Sequence, residues 1–174
     1  MDEDYIKKAR GEIVHEIVEV ENRMNYLIAT YFCSHKVEKH SEVQFIILMD
    51  SRFNLDFKKD VIAYIIDKHY DRDFVNSFIS EFLEDKKETL LSFISTLINY
   101  RNAAAHFNWF PEPNTQGYDY KLITMGHKKG ELKEKPARLI NRENVNVFIE
   151  KCVALKLLLT KVSNDFYHKN NRDE

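Results

Sequence analysis

At 174 residues, 44% hydrophobic and 31% charged, the chain has the length and balance of a single domain with a real core. A formal net charge of −2 excludes a surface coated in positive charge for bulk nucleic-acid binding, so any anionic partner must meet a local patch. No apolar run is long enough to span a membrane, and none of the charged opening MDEDYIKKAR reads as a signal peptide.

Only 4 Gly and 3 Pro occur, and two of the prolines fall together at Pro111 and Pro113, so the chain reads as mostly helical. Cys33 and Cys152 form no disulfide framework. Both lie in helical patterns and read as reduced thiols of a cytoplasmic protein.

A first helix is expected from about Asp4 to Phe32. Ile6, Ile13, Ile17, Val20, Met24, Leu27, Ile28 and Tyr31 recur there every three or four residues. Gly11 weakens it near its start. CSHKVEKHS reads as a loop, and a second helix is expected from about Ser41, a plausible N-cap, to Asp50. Phe57 to Tyr70 and Arg72 to Asp85 read as the third and fourth helices. A fifth runs from about Lys87 to Phe107, with Leu90, Phe93, Ile94, Leu97, Ile98 and Tyr100 apolar on more than one face.

Pro111, Pro113, Asn114 and Gly117 are expected to form a loop. Tyr118 to Met125 and Glu131 to Ile140 flank GHKKG as a small hairpin insertion over about 118–140. It carries a local basic excess, and Lys121, Lys128 and Lys129 are candidates for binding an anionic substrate. The competing reading is a solvated hairpin with ordinary edge lysines. The last helix is expected from about Asn141 to Tyr167. Its seam is Val145, Phe148, Cys152, Leu155, Leu159, Val162 and Phe166, followed by a disordered tail over about 168–174. The whole is one all-α domain, an up-and-down helical bundle with a hairpin before the last helix.

Chemistry concentrates at the end of the fifth helix, in Arg101, Asn102 and His106 of YRNAAAHF. Polar groups on so apolar a helix are costly unless they find partners. Asn102 and His106 are four apart and share a face. Arg101 and His106 are five apart, about 140° around the axis, and do not meet by default. Two copies of the helix could bring the sets together, since Ala103, Ala104 and Ala105 leave room for close approach. The bland alternative is that the three residues hydrogen-bond across an interface. Arg10 and His15 repeat the Arg-x4-His spacing on a solvated helix, which reads as accidental.

RNAAAH resembles the R-N-x-x-A-H form of the Arg-x4-6-His motif of HEPN domains (higher eukaryotes and prokaryotes nucleotide-binding). The long N-terminal helix containing VENRMNYLIATYF, the apolar VQFIILMDSRF, the motif helix, the hairpin and the final helix extend the resemblance over nearly the whole chain. The resemblance implies a helical bundle that dimerises with two motifs in a shared cleft. It also implies a metal-independent endoribonuclease that needs no cofactor and leaves 2′,3′-cyclic phosphate ends. In that family such enzymes often act in toxin–antitoxin or antiviral-defence systems, so a homodimer, an RNA substrate and an antitoxin or defence partner protein are implied, and no membrane. His106 would act on the 2′-hydroxyl or the leaving 5′-oxygen, Arg101 would hold the scissile phosphate, and Asn102 would position one of them. The same resemblance accommodates a non-catalytic module binding a nucleotide or a protein. Some family toxins carry a tyrosine two residues after the histidine, which a partner modifies. Asn108 stands there in this chain and lacks the phenol that this route requires.

Other groupings carry less. Cys33, His35 and His40 lack the paired spacing of a zinc site. Asp67, Asp71 and Asp73 around His69 read as helix capping at a junction. Tyr118 and Tyr120 could stack on bases or fill the hairpin's inner face. No phosphate-cradling Gly-rich loop or Rossmann fingerprint is present.

Overall fold

The computed structural model describes residues 3–33, 37–48, 50, 53–83, 88–106, 108–111, 120–128 and 131–170, with side chains left undescribed at 37–38, 45–47, 108–111, 120–128, 131–140 and 170. The chain is predominantly helical. Helix α1 spans Glu3–Cys33, α2 Val37–Glu42, α3 Leu55–His69, α4 Arg72–Ile79, α5 Leu90–His106 and α6 Arg142–Asn170. Strands β1 (Asn108–Pro111), β2 (Tyr120–Lys128) and β3 (Glu131–Ile140) form one antiparallel sheet in that order between α5 and α6.

Local chemistry sets the helix starts. Asn54 accepts the Phe57 amide at 2.9 Å, Asp71 the Phe74 amide at 2.8 Å, and Asn141 the Asn144 amide at 2.8 Å. Each supplies an acceptor to a first-turn N–H that has no partner within its own helix. Asp71 therefore caps α4.

The core is where α1, α3, α5 and α6 meet. Ile13, Ile17, Val20, Met24 and Leu27 of α1 are buried against Phe93, Ile94 and Leu97 of α5 and Leu155, Leu159 and Val162 of α6. Cross-links fix the directions. Glu16 meets Lys156 and Tyr31 meets Phe166, so α1 and α6 run the same way. Glu21 meets Lys58 and Tyr31 meets His69, so α3 runs with them. Tyr100 stacks on Phe148 near the start of α6, whereas Glu88, just before α5, meets Arg72, beside the Tyr70 that bonds Asp165. Helix α5 thus opposes α6, and its motif end lies beside the beginning of α6.

Several expectations are corrected. The stretch expected as a loop after the first helix contains α2, because Lys39 and His40 dock on α1. The Cys33 thiol donates to the Lys39 carbonyl, and His40 Nε2 lies 3.1 Å from Thr30 Oγ1. Ser41 is therefore inside a helix and is not an N-cap. Val43–Leu48, expected as ordinary helix, is π-helical, a wider turn that accommodates an extra residue. The fourth helix stops at Ile79 and tightens into a 3-10 turn over Ser80–Phe82, closed by Leu83 N donating to Ser80 O.

Pro111, expected in a loop, is the last residue of β1 opposite Tyr120, and β1 is an edge strand, where a residue without an N–H is tolerated. Pro113, Asn114 and Gly117 lie outside the described residues. Gly126, His127 and Lys128, expected in the turn, continue β2 through the pairing of Lys128 with Glu131. The β2–β3 register shifts between Leu122 and Thr124, across from Pro136, where a missing donor is absorbed by the irregularity. The stretch expected to be disordered from about residue 168 is helical as far as Asn170. His168, Lys169 and Asn170 complete the last turn of α6, with His168 and Lys169 at its negative end; residues 171–174 lie outside the described residues.

Candidate functional site

Helix α5 is built to carry its polar end. Thr89 Oγ1 accepts the Ser92 amide at 3.2 Å, which fixes the start. Phe93, Ile94, Leu97 and Ile98 then bury the middle. Tyr100 stacks on Phe148 with centroids 4.8 Å apart and anchors the last turns to α6. Ala103 and Ala104 are buried in this chain's own core, so these small residues admit side chains of the same chain; Ala105 is half-buried.

The structure brings Arg101 and Asn102 together. Arg101 Nη1 donates to Asn102 Oδ1 at 2.9 Å, and both side chains are half-buried. Arg101 Nε is sealed from solvent with no hydrogen-bond partner among the described residues. The interaction joins neighbours in sequence, so a flexible arginine folds back along its own helix.

His106 is not part of that pair. It ends α5, its side chain is exposed, and among the described residues it makes no side-chain hydrogen bond. The helical bounds keep Asn102 and His106 one turn apart on one face, with Arg101 about 140° from His106. A single chain therefore presents a pre-positioned guanidinium–amide pair and an accessible imidazole on different sides of one helix end.

Lys121 and Lys128 lie on β2, but their side chains, like all of Lys129, lie outside the described residues. No grouping of three or more potential metal ligands occurs among the described residues. Cys33 and His40 are occupied with α2, and His35 lies outside the described residues.

Comparison with protein-family models, with curated proteins and with solved structures gives no match. The site is therefore read from its own residues.

Two features escaped sequence reasoning. Tyr100 reads as one more apolar position, yet it is the residue that ties the motif end to α6. His40 reads as a loop histidine, yet it is half-buried between Thr30 and the ring edge of Tyr26, with centroids 5.0 Å apart. Burial holds its pKa below the ordinary value, and a hydrogen bond that the ring donates to the Tyr26 backbone acts the other way with smaller effect. Only the contacts between distant segments reveal either role. Among the described residues no helix is long and apolar enough to cross a membrane.

Proposed function

We propose that the chain is a metal-independent endoribonuclease of the HEPN type, working as a homodimer whose composite site takes Arg101, Asn102 and His106 from both copies. The observation that carries this reading is the last turn of α5. There a half-buried arginine is already held by Asn102, while an exposed histidine stands on another side of the same turn. A fixed guanidinium binds phosphate oxygens and steadies the charge that builds during phosphoryl transfer. An accessible imidazole moves protons near neutrality. RNA supplies its own nucleophile. The 2′-oxygen bonds to phosphorus, the bond to the 5′-oxygen breaks, the 2′-hydroxyl proton goes to a base, and an acid protonates the departing 5′-oxygen. The angle between Arg101 and His106 on one helix is the reason for invoking two copies: one protomer's histidine can act where the other's arginine holds the phosphate. The role in a toxin–antitoxin or defence system belongs to the same proposal.

A second reading, a non-catalytic module that binds a nucleotide or a protein, draws on one observation. Nothing among the described residues orients the His106 ring, as a second group usually does for a catalytic histidine.

The test is cleavage of labelled single-stranded RNA and of tRNA in the presence of EDTA, at equal dimer content. Wild type should cleave and leave cyclic-phosphate ends. Arg101→Ala and His106→Ala should each lose about 10²-fold or more, with unchanged helical circular dichroism. Equal cleavage by all three proteins would overturn the assignment of the site. A wild type that binds RNA without cutting it would select the second reading.

A further inference from the structure

At the opposite flank of α6 from the Tyr100 stack lies a groove of about 560 Å³ between α4 with its 3-10 extension and α6. Phe78, Phe82, Ile149 and Ala154 line it. Its outer wall is a ridge of Val153 and Leu157, 43% and 58% exposed, two large apolar side chains left against water one helical turn apart. These two residues fall outside the buried seam of α6, so the core does not require them to be apolar.

The rims are acidic. Glu81 stands on one side and Glu150 on the other; both are exposed, and neither forms an ion pair among the described residues. Two lysines of α6 are already paired: Lys156 with Glu16 and Lys161 with Asp165. Lys161, one helical turn beyond Leu157, is thus already engaged.

We infer that this groove is a docking site for a basic amphipathic helix of a partner protein. The one-turn repeat of its walls, Phe78 with Phe82 and Val153 with Leu157, matches the apolar ridge of a helix laid between two others. Glu81 and Glu150, one carboxylate on each rim, select Lys or Arg flanking that ridge and disfavour an acidic partner. The groove shares no residue with the motif, so this inference stands whether or not the chain is a nuclease.

The probes are two synthetic helical peptides about 18 residues long, with the same leucine stripe, one flanked by lysine and one by glutamate. Binding to the full chain is followed by fluorescence anisotropy. The lysine peptide should bind at least ten-fold more tightly than the glutamate peptide. Glu81→Gln/Glu150→Gln should reduce that binding about ten-fold, and Leu157→Glu should abolish it. The control Glu12→Gln/Glu42→Gln, with the same change in net charge elsewhere, should leave it intact. All variants change residues that are not fully buried, and circular dichroism confirms that they fold. Equal loss in the control pair would mean attraction to bulk negative charge and overturn the site. Indifference to Leu157→Glu would overturn the groove. Concentration-dependent self-association of the free chain, removed by Leu157→Glu, would give the groove to a second copy and overturn the partner.

Discussion

Lys58 shows how far one residue can depart from what its type suggests. Its side chain is only 3% exposed, and its ammonium lies 2.5 Å from Glu21, itself 32% exposed, so the pair joins α3 to α1 through a largely dry interface. Losing Glu21 strands a sealed ammonium, which is costly, whereas losing Lys58 to an apolar side chain of similar size leaves only the partly exposed Glu21 carboxylate, which water can still hydrate. Glu21→Gln should therefore destabilise the protein by about 2–3 kcal/mol, and Lys58→Met by less than about 1 kcal/mol, read from urea unfolding midpoints. The reverse order would mean that the pair's attraction outweighs its desolvation. Gly11 is simpler. It sits exposed inside α1, and a Cβ added there meets nothing within 4 Å. Gly11→Ala should stabilise by about 0.5–1 kcal/mol in the same assay, through helix propensity alone. The glycine's weakness is legible in the sequence because it is a local property. The lysine's burial is not, because it depends on which helix packs opposite.

At the scale of elements, spacing found the long helices because each buries one face. The seam Val145, Phe148, Cys152, Leu155, Leu159, Val162 and Phe166 is buried throughout. Spacing failed where an element exists by docking alone. Helix α2 has six residues, too few to persist unaided, and it stands because His40 packs on Thr30 and Tyr26. That contact makes the segment sensitive to pH. The His40 pKa is lower in the folded protein than its ordinary 6.5, so the unfolded chain takes up a proton first as the pH falls. The contribution is fully present above about 6.5 and is lost progressively below it, down to the native value. Wild type should lose more stability between about pH 7.5 and pH 5.5 than His40→Gln, whose side chain cannot titrate. Hydrogen exchange should show the α2 amides opening first. Identical pH profiles for the two proteins would remove His40 from the account.

For the whole molecule, the motif was legible as a set of residues but not as a working site. Sequence spacing already set Arg101 and His106 apart on the helix, and no pattern within one chain states how two chains meet. The bundle's integrity has a more direct reporter in its two thiols. Cys152 is wholly buried in α6 beside the Glu16–Lys156 pair, while Cys33 is half-exposed at the end of α1. Burial, and then the Glu16 charge, push the Cys152 thiol up to about 12, against a smaller opposing effect of Lys156. In the folded protein it is thus both inaccessible and protonated at neutral pH, and only the thiolate reacts. A maleimide or aromatic disulfide reagent should label Cys33 quickly and Cys152 at least about 10³-fold more slowly, at a rate set by opening of the bundle. Because the unfolded thiol ionises from about pH 9 and the folded one does not, the folded state binds the extra proton, and stability should fall as pH rises above that point. Cys152→Ser should flatten that alkaline loss while costing stability at neutral pH through a polar group placed in a dry seam. Should Cys152 label as fast as Cys33 under native conditions, α6 would not be packed against α1 as the Glu16–Lys156 contact requires, and the placement of the motif end beside the start of α6 would fall with it.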